Sequence, residues 1–118
     1  MASSSERLQR LRADARLERE TALEARVRGG QDPSIAFDEV PGIDELVVSE
    51  LRTERLEERG QLAEYALARL AARAGGPDAA EHARNADRVE FEILREIAHE
   101  FPELTVAVWR AGDRLDVA

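Results

Sequence analysis

The sequence predicts a mainly α fold. A long antiparallel helical hairpin follows an N-terminal helix, becomes bundle-like in an oligomer, and leads into a short C-terminal β-hairpin. Three observations predict this. Composition is 36% charged and only 4% aromatic, whereas a sheet-rich core calls for aromatic and β-branched residues. Alanine, leucine, glutamate and arginine dominate, and all are good helix formers. Glycine and proline gather at 29–42 and 75–77 and so punctuate the helical lengths. The 118 residues suit one domain spanning 1–118.

The N-terminal helix is expected over 5–28. Ser3 and Glu6 have the spacing of a capping box, and Gly29–Gly30 stops the helix. Leu8, Leu11, Ala15, Ala22 and Ala25 lie on one side, interrupted by Glu18. So thin a stripe needs a partner surface to be stable. Residues 29–42, GGQDPSIAFDEVPG, read as a connecting loop. Ile35, Phe37 and Val40 alternate in it and are expected to pin it to the body.

The helical hairpin is expected over 43–101. Its first helix runs from about Asp44 to Ala74, roughly 45 Å at 1.5 Å per residue. The turn is GGP at 75–77. The second helix opens at Asp78, with Glu81 three residues on, and closes at Phe101, because Pro102 disfavours helical geometry in the residue before it. So short a link makes the two helices antiparallel neighbours.

The tail, 102–118, changes period. Leu104, Val106 and Val108 alternate with Thr105, Ala107 and Trp109. RAGD can turn, and Leu115 and Val117 alternate again. This predicts a β-hairpin. Two strands alone are marginal in water, so it should pack on the helices or pair with the hairpin of another chain.

Within the hairpin's first helix, Leu46, Ser49, Thr53, Leu56, Gly60, Ala63, Leu67, Leu70 and Ala74 form one uncharged stripe at spacings of three and four. That is a coiled-coil-like seam. Glu50, Glu57 and Glu64 flank one side; Glu45, Arg52, Arg59 and Arg73 flank the other. Sorted charge of this kind selects a partner and an orientation. The second helix offers Ala79, Ala83, Ala86, Ile93, Ile97 and Phe101, with Glu90 inside the stripe. Val47, Val48, Leu51, Leu62 and Tyr65 lie off the seam, more apolar surface than one hairpin covers. A homodimer forming a four-helix bundle is the expected answer. Leu46, Thr53, Leu56, Ala63, Leu67 and Leu70 are its interface residues, and Trp109 is either a partner anchor or packed on the helices.

All 17 basic residues are arginine, against 25 acids, for a net charge of −8. A chain so acidic repels nucleic acid and anionic membranes. The charge is uneven. Residues 1–28 hold seven Arg and five acids, a balance of +2, and the remainder carries −10. The basic first helix could therefore dock on an acidic surface, its own or a partner's. There is no cysteine, which excludes disulfides and thiolate chemistry. MASSSERLQRLR lacks the apolar core of a signal peptide, and no apolar run approaches spanning length. A cytoplasmic protein is expected.

No phosphate-binding glycine loop, Ser–His–Asp constellation or zinc motif is present. One pattern carries possible chemistry. Glu96 and His99 are three apart, so they are neighbours on a helix. Glu58 and Tyr65 are seven apart on the preceding helix. Glu58 lies nineteen residues before 77 and Glu96 nineteen after it, which makes them level in an antiparallel hairpin. Glu54 is level with His99 to within one residue. Glu-x6-Tyr followed by Glu-x-x-His resembles half of a ferritin-like di-iron site and is similar to the two-helix encapsulated ferritins. The resemblance implies that Glu58, Glu96 and His99 bind iron or another divalent metal, with Glu54 at their level and Tyr65 beside them. Helices advance about 100° per residue, so Glu58 and His99 point away from the seam. Such a site would be completed by a second subunit. Two function classes follow: a non-enzymatic, cofactor-free module for helical oligomerisation and protein interaction, or a ferritin-like di-metal carboxylate protein.

Overall fold

The computed structural model describes residues 3–115, and they are mainly helical, with no strand among the described residues. The chain divides into two compact units, Met1–Val47 and Val48–Ala118.

The first unit holds α1 (Ser4–Arg28), α2 (Pro33–Glu39) and the start of α3 (Ile43–Glu58). Ser3 caps α1 by accepting from the Glu6 N–H at 3.2 Å. At the other end Gln31 N–H donates to Arg26 O and Gly30 N–H to Val27 O, both at 3.1 Å. This is a Schellman stop, and it uses the positive φ of Gly30, 96°. Leu8 and Ala15, seven residues apart, are the buried residues of α1, as the thin stripe foretells.

Residues 29–42 are not a plain loop. Asp32 caps α2 by accepting from Ser34 N–H at 2.8 Å, and Pro33 takes the first helical position, where a missing N–H costs nothing. Val40 is buried as expected, but Ile35 and Phe37 are exposed, and Ala36 is buried in their place. Arg26 pairs with Glu39 at 2.6 Å, and Arg19 adds a further attachment. It donates to Pro41 O at 3.2 Å and stacks its guanidinium 4.5 Å from the centre of the Phe37 ring. Arg12 forks onto Asp44, Nε to Oδ1 at 2.9 Å and Nη2 to Oδ2 at 3.2 Å, tying α1 to the first turn of α3.

The second unit contains the rest of α3, then α4 (Leu62–Ala74), α5 (Ala79–Glu100), a 3₁₀ turn (Pro102–Leu104) and α6 (Thr105–Gly112). The helix expected from Asp44 to Ala74 is therefore two helices. Gln61 N–H donates to Leu56 O at 2.8 Å and Gly60 N–H to Glu57 O at 3.0 Å. With Gly60 at φ +68°, this is a second Schellman stop. Gly60 ends the helix; it is not a small residue in a seam. The predicted stripe is cut there. Leu56 is buried inside the unit, while Ala63, Leu67 and Leu70 face outward. Thr53 is exposed, and its hydroxyl donates to Ser49 O at 3.2 Å; Leu46 is half-buried.

The short link 75–78 does make α4 and α5 packed antiparallel neighbours: Tyr65 reaches Glu90 and Arg69 reaches Asp87. Asp78 stands at the N-cap of α5, but its side chain makes no capping hydrogen bond.

The predicted C-terminal β-hairpin is absent. Pro102 and Thr105 start new helical turns, and the hydroxyl of Thr105 donates to Pro102 O at 2.6 Å. The buried residues are Phe101, Leu104, Ala107 and Val108, a spacing of three and four that only a helix presents on one side. The alternation of Leu104, Val106 and Val108 is incidental, since Val106 is exposed. Val117 lies outside the described residues. Trp109 is 70% exposed. It stands on the solvent side of α6.

The core of this unit is built on α5. Ala86, Ile93 and Ile97 form its inward stripe, and Glu90 occupies the same stripe. α4 is the opposite case. All of its thirteen residues except Glu64, Arg69 and Arg73 are apolar or aromatic, yet none is fully buried. No helix among the described residues is long and apolar enough to cross a membrane.

Candidate functional site

Glu90 is only 5% exposed and Asp87, one turn earlier on α5, 6%. Burying carboxylates is costly unless each is paired and hydrogen-bonded, and here α3 and α4 supply the partners. Arg52 of α3 ion-pairs with Glu90 Oε1 and also donates to Ser49 Oγ at 3.3 Å. Tyr65 of α4 donates its hydroxyl to Glu90 Oε2 at 2.8 Å. Arg69, one turn beyond Tyr65, pairs with Asp87 Oδ1 at 2.7 Å and with Glu90 Oε2 at 2.5 Å. Its Nε donates to the Tyr65 hydroxyl at 3.2 Å, and the guanidinium lies 5.2 Å from the ring centre. The fork of arginine makes this bridge possible; a lysine could not hold two carboxylates and a phenol in fixed directions.

The electrostatics follow from the geometry. Burial raises the pKa of Tyr65; the Arg69 hydrogen bond works against that, and the Glu90 contact reinforces it. For Arg69, burial alone would lower the pKa, but its hydrogen bonds to Tyr65, Asp87 and Glu90 more than reverse this and leave it raised. Tyr65 is the sole tyrosine, so near-ultraviolet tyrosinate absorbance reports it alone. Its ionisation midpoint in the folded chain is expected above the ordinary 10.0. A folded-state pKa raised in this way means the contribution to stability is complete below pH 10 and declines as pH climbs through the raised value. A midpoint at or below 10.0 in the folded protein contradicts the buried hydrogen-bonded phenol.

This cluster opens into a groove of about 890 Å³ between α4 and the end of α6, which Arg73, Arg114, Leu70 and Leu115 also line.

The residues singled out for metal are placed differently. Glu58, the last residue of α3, is exposed, and Glu54 is half-buried. Tyr65 is on a separate helix from Glu58 and is committed to Glu90. The expected level of Glu58 and Glu96 is nearly met, but by the next residue: Arg59 ion-pairs with Glu96. Arg55 lies 3.6 Å from Glu96 and also pairs with Glu100. Glu96 and His99 do line one shallow groove, together with Arg55, Glu92, Arg95 and Glu100. Among the described residues no group of three or more His, Asp or Glu side chains is arranged to hold a metal ion. A centre shared with a second subunit would first have to release Glu96 from two arginines.

Sequence reasoning missed Arg52, Arg69, Asp87 and Glu90 as a set. The signal was an acid in the apolar stripe of α5, level with Tyr65 and with an arginine one turn beyond it. Arg52 and Arg59, read as a flank selecting an outside partner, are used within the chain on α5.

Against known proteins, the chain matches no family model, no curated protein and no solved structure.

Proposed function

We propose that the chain is a helical protein-interaction module that self-associates through α4. The observation that carries this reading is the exposed apolar face of that helix. Leu67 is 66% exposed and Leu70 59%, and Ala63 and Ala74 extend the face at either end. Each leucine taken out of water contributes about 2 kcal/mol.

The spacing of the face supports a second copy as occupant. Ala63, Leu67, Leu70 and Ala74 follow steps of four, three and four, which read the same in both directions. In an antiparallel pair of α4 helices, Leu67 of one chain packs against Leu70 of the other, and Ala63 against Ala74. Across the flanks Glu64 faces Ala71 and Arg73 faces Ala66, so no like charges oppose each other. The contact is isologous, the commonest form of homodimer interface.

Light scattering at micromolar concentration is expected to give twice the chain mass. Leu67→Glu should return a monomer with unchanged helical circular dichroism, because Leu67 makes no core in the single chain. A wild-type chain that stays monomeric sinks the proposal, as does a dimer indifferent to Leu67→Glu.

A further inference from the structure

The groove beside the buried cluster has two properties that the cluster does not need. The first is charge. Arg52, Arg69, Arg73 and Arg114 line it against two carboxylates, Asp87 and Glu90, a local excess of two positive charges in a chain of net −8. Arg52 and Arg69 hold the carboxylates of the floor. Arg73 and Arg114 stand exposed at the rim, and neither has an ion-pair partner among the described residues. The second property is apolar surface. Leu70 on the α4 side and Leu115 beyond α6 line the same groove, with Leu70 more than half exposed.

A bare anion satisfies the first property and leaves the leucines wet. An apolar ligand does the reverse. A nucleic acid, with a charge at every phosphate, meets the repulsion of the acidic chain along its length and brings no leucine-like side chains, whereas a short helix brings few charges. The occupant that uses both features carries carboxylates on one edge and leucine-like side chains on the next. An amphipathic helix presents such residues three and four positions apart. Its carboxylates take two-pronged contacts from the arginines, while its apolar residues settle between Leu70 and Leu115. We propose that this groove docks an acidic amphipathic helix of a partner protein, with Arg73 and Arg114 as the recognising cations. On α4 the groove side lies roughly a quarter turn from the self-association face. Leu70 is common to the two, and Ala66 and Arg73, which flank the dimer contact, also line the groove, so the partner helix and a second copy compete for part of α4.

The test uses the full chain and a fluorescein-labelled helical peptide built of glutamate and leucine at heptad spacing, followed by anisotropy. Saturable binding in the micromolar range is expected. Arg73→Glu with Arg114→Glu should weaken it about tenfold or more, as should replacing the peptide's glutamates by glutamine. Both arginines are exposed, so circular dichroism should be unchanged; Arg73→Gln with Arg114→Gln is the milder pair. Leu67→Glu, which frees Leu70 from the dimer contact, should bind the peptide at least as tightly as wild type does. Four outcomes overturn the proposal: no saturation at millimolar peptide, equal affinity for the glutamine peptide, indifference to the arginine substitutions, or loss of binding in Leu67→Glu. Displacement of the peptide by equimolar inorganic phosphate also overturns it, by assigning the groove to a small anion.

Discussion

Replacing Arg69 by methionine is expected to destabilise the chain by about 3 kcal/mol, at the lower end of the cost of breaking a buried ion pair. The side chain is about a quarter exposed, and water access discounts the upper end of that range. The effect is large because one guanidinium serves three partners: Asp87, Glu90 and Tyr65. Removing it takes one cation from two adjacent carboxylates in a nearly dry place. Arg52→Met should cost less, since Glu90 keeps Arg69 and Tyr65. Adding Glu90→Gln to Arg69→Met should recover part of the loss, because a neutral amide can still accept from Tyr65 without bringing an unmatched charge. Urea midpoints of the three variants decide the matter. If Arg52→Met is the more damaging substitution, the cluster is not organised around Arg69.

The second large effect is expected at Phe101. It is among the largest fully buried side chains and stands where α5 ends, its N–H donating to Ile97 O at 2.8 Å. Phe101→Ala should cost about 3–5 kcal/mol, the range for emptying a buried aromatic site. Trp109→Ala, eight residues later, should move stability by no more than about 0.5 kcal/mol, because Trp109 is turned outward on α6. Thermal unfolding of the two variants separates a helical tail from an extended one. A tail of alternating strands would not present Phe101, Leu104 and Val108 to one side, and a tryptophan at its inner face would reverse the order of the two effects.

Much of this architecture was legible because glycine and proline mark where helices stop. GGP at 75–77 placed the turn of the α4–α5 pair. What failed did so for local physical reasons. Arg-Gly-Gly-Gln at 28–31 announces a stop with two glycines, whereas the single glycine of Arg-Gly-Gln at 59–61 sits inside an uncharged stripe, although both close with the same pair of backbone hydrogen bonds. Asp32-Pro33 is a helix start as much as a loop signal, and the count of prolines hid it. In the tail, β-branched residues suggested alternation over a length too short to separate a period of two from one of 3.6. The candidate site was half visible. Glu90 stood out as a charge in an apolar stripe, but its partners lie on two other helices. Pairing across helices depends on the helix stop at Gly60, which the uncharged stripe conceals.

The stop at Gly60 also governs how the chain can vary in length. In one continuous helix, an added residue would rotate everything downstream by about 100°. It would swing Tyr65 and Arg69 off their carboxylates at once. At 60–61 the helical phase is already interrupted, and although its φ of +68° keeps position 60 a glycine, the space around it is open. An extra residue there lengthens a surface turn and leaves α4 free to keep its orientation on α5, at the small entropic cost of a longer loop. The same insertion at 66 would have no such outlet. Drift in chain length, by duplication or by engineering, therefore has a natural entry point between α3 and α4, two turns from the buried carboxylates it must not disturb.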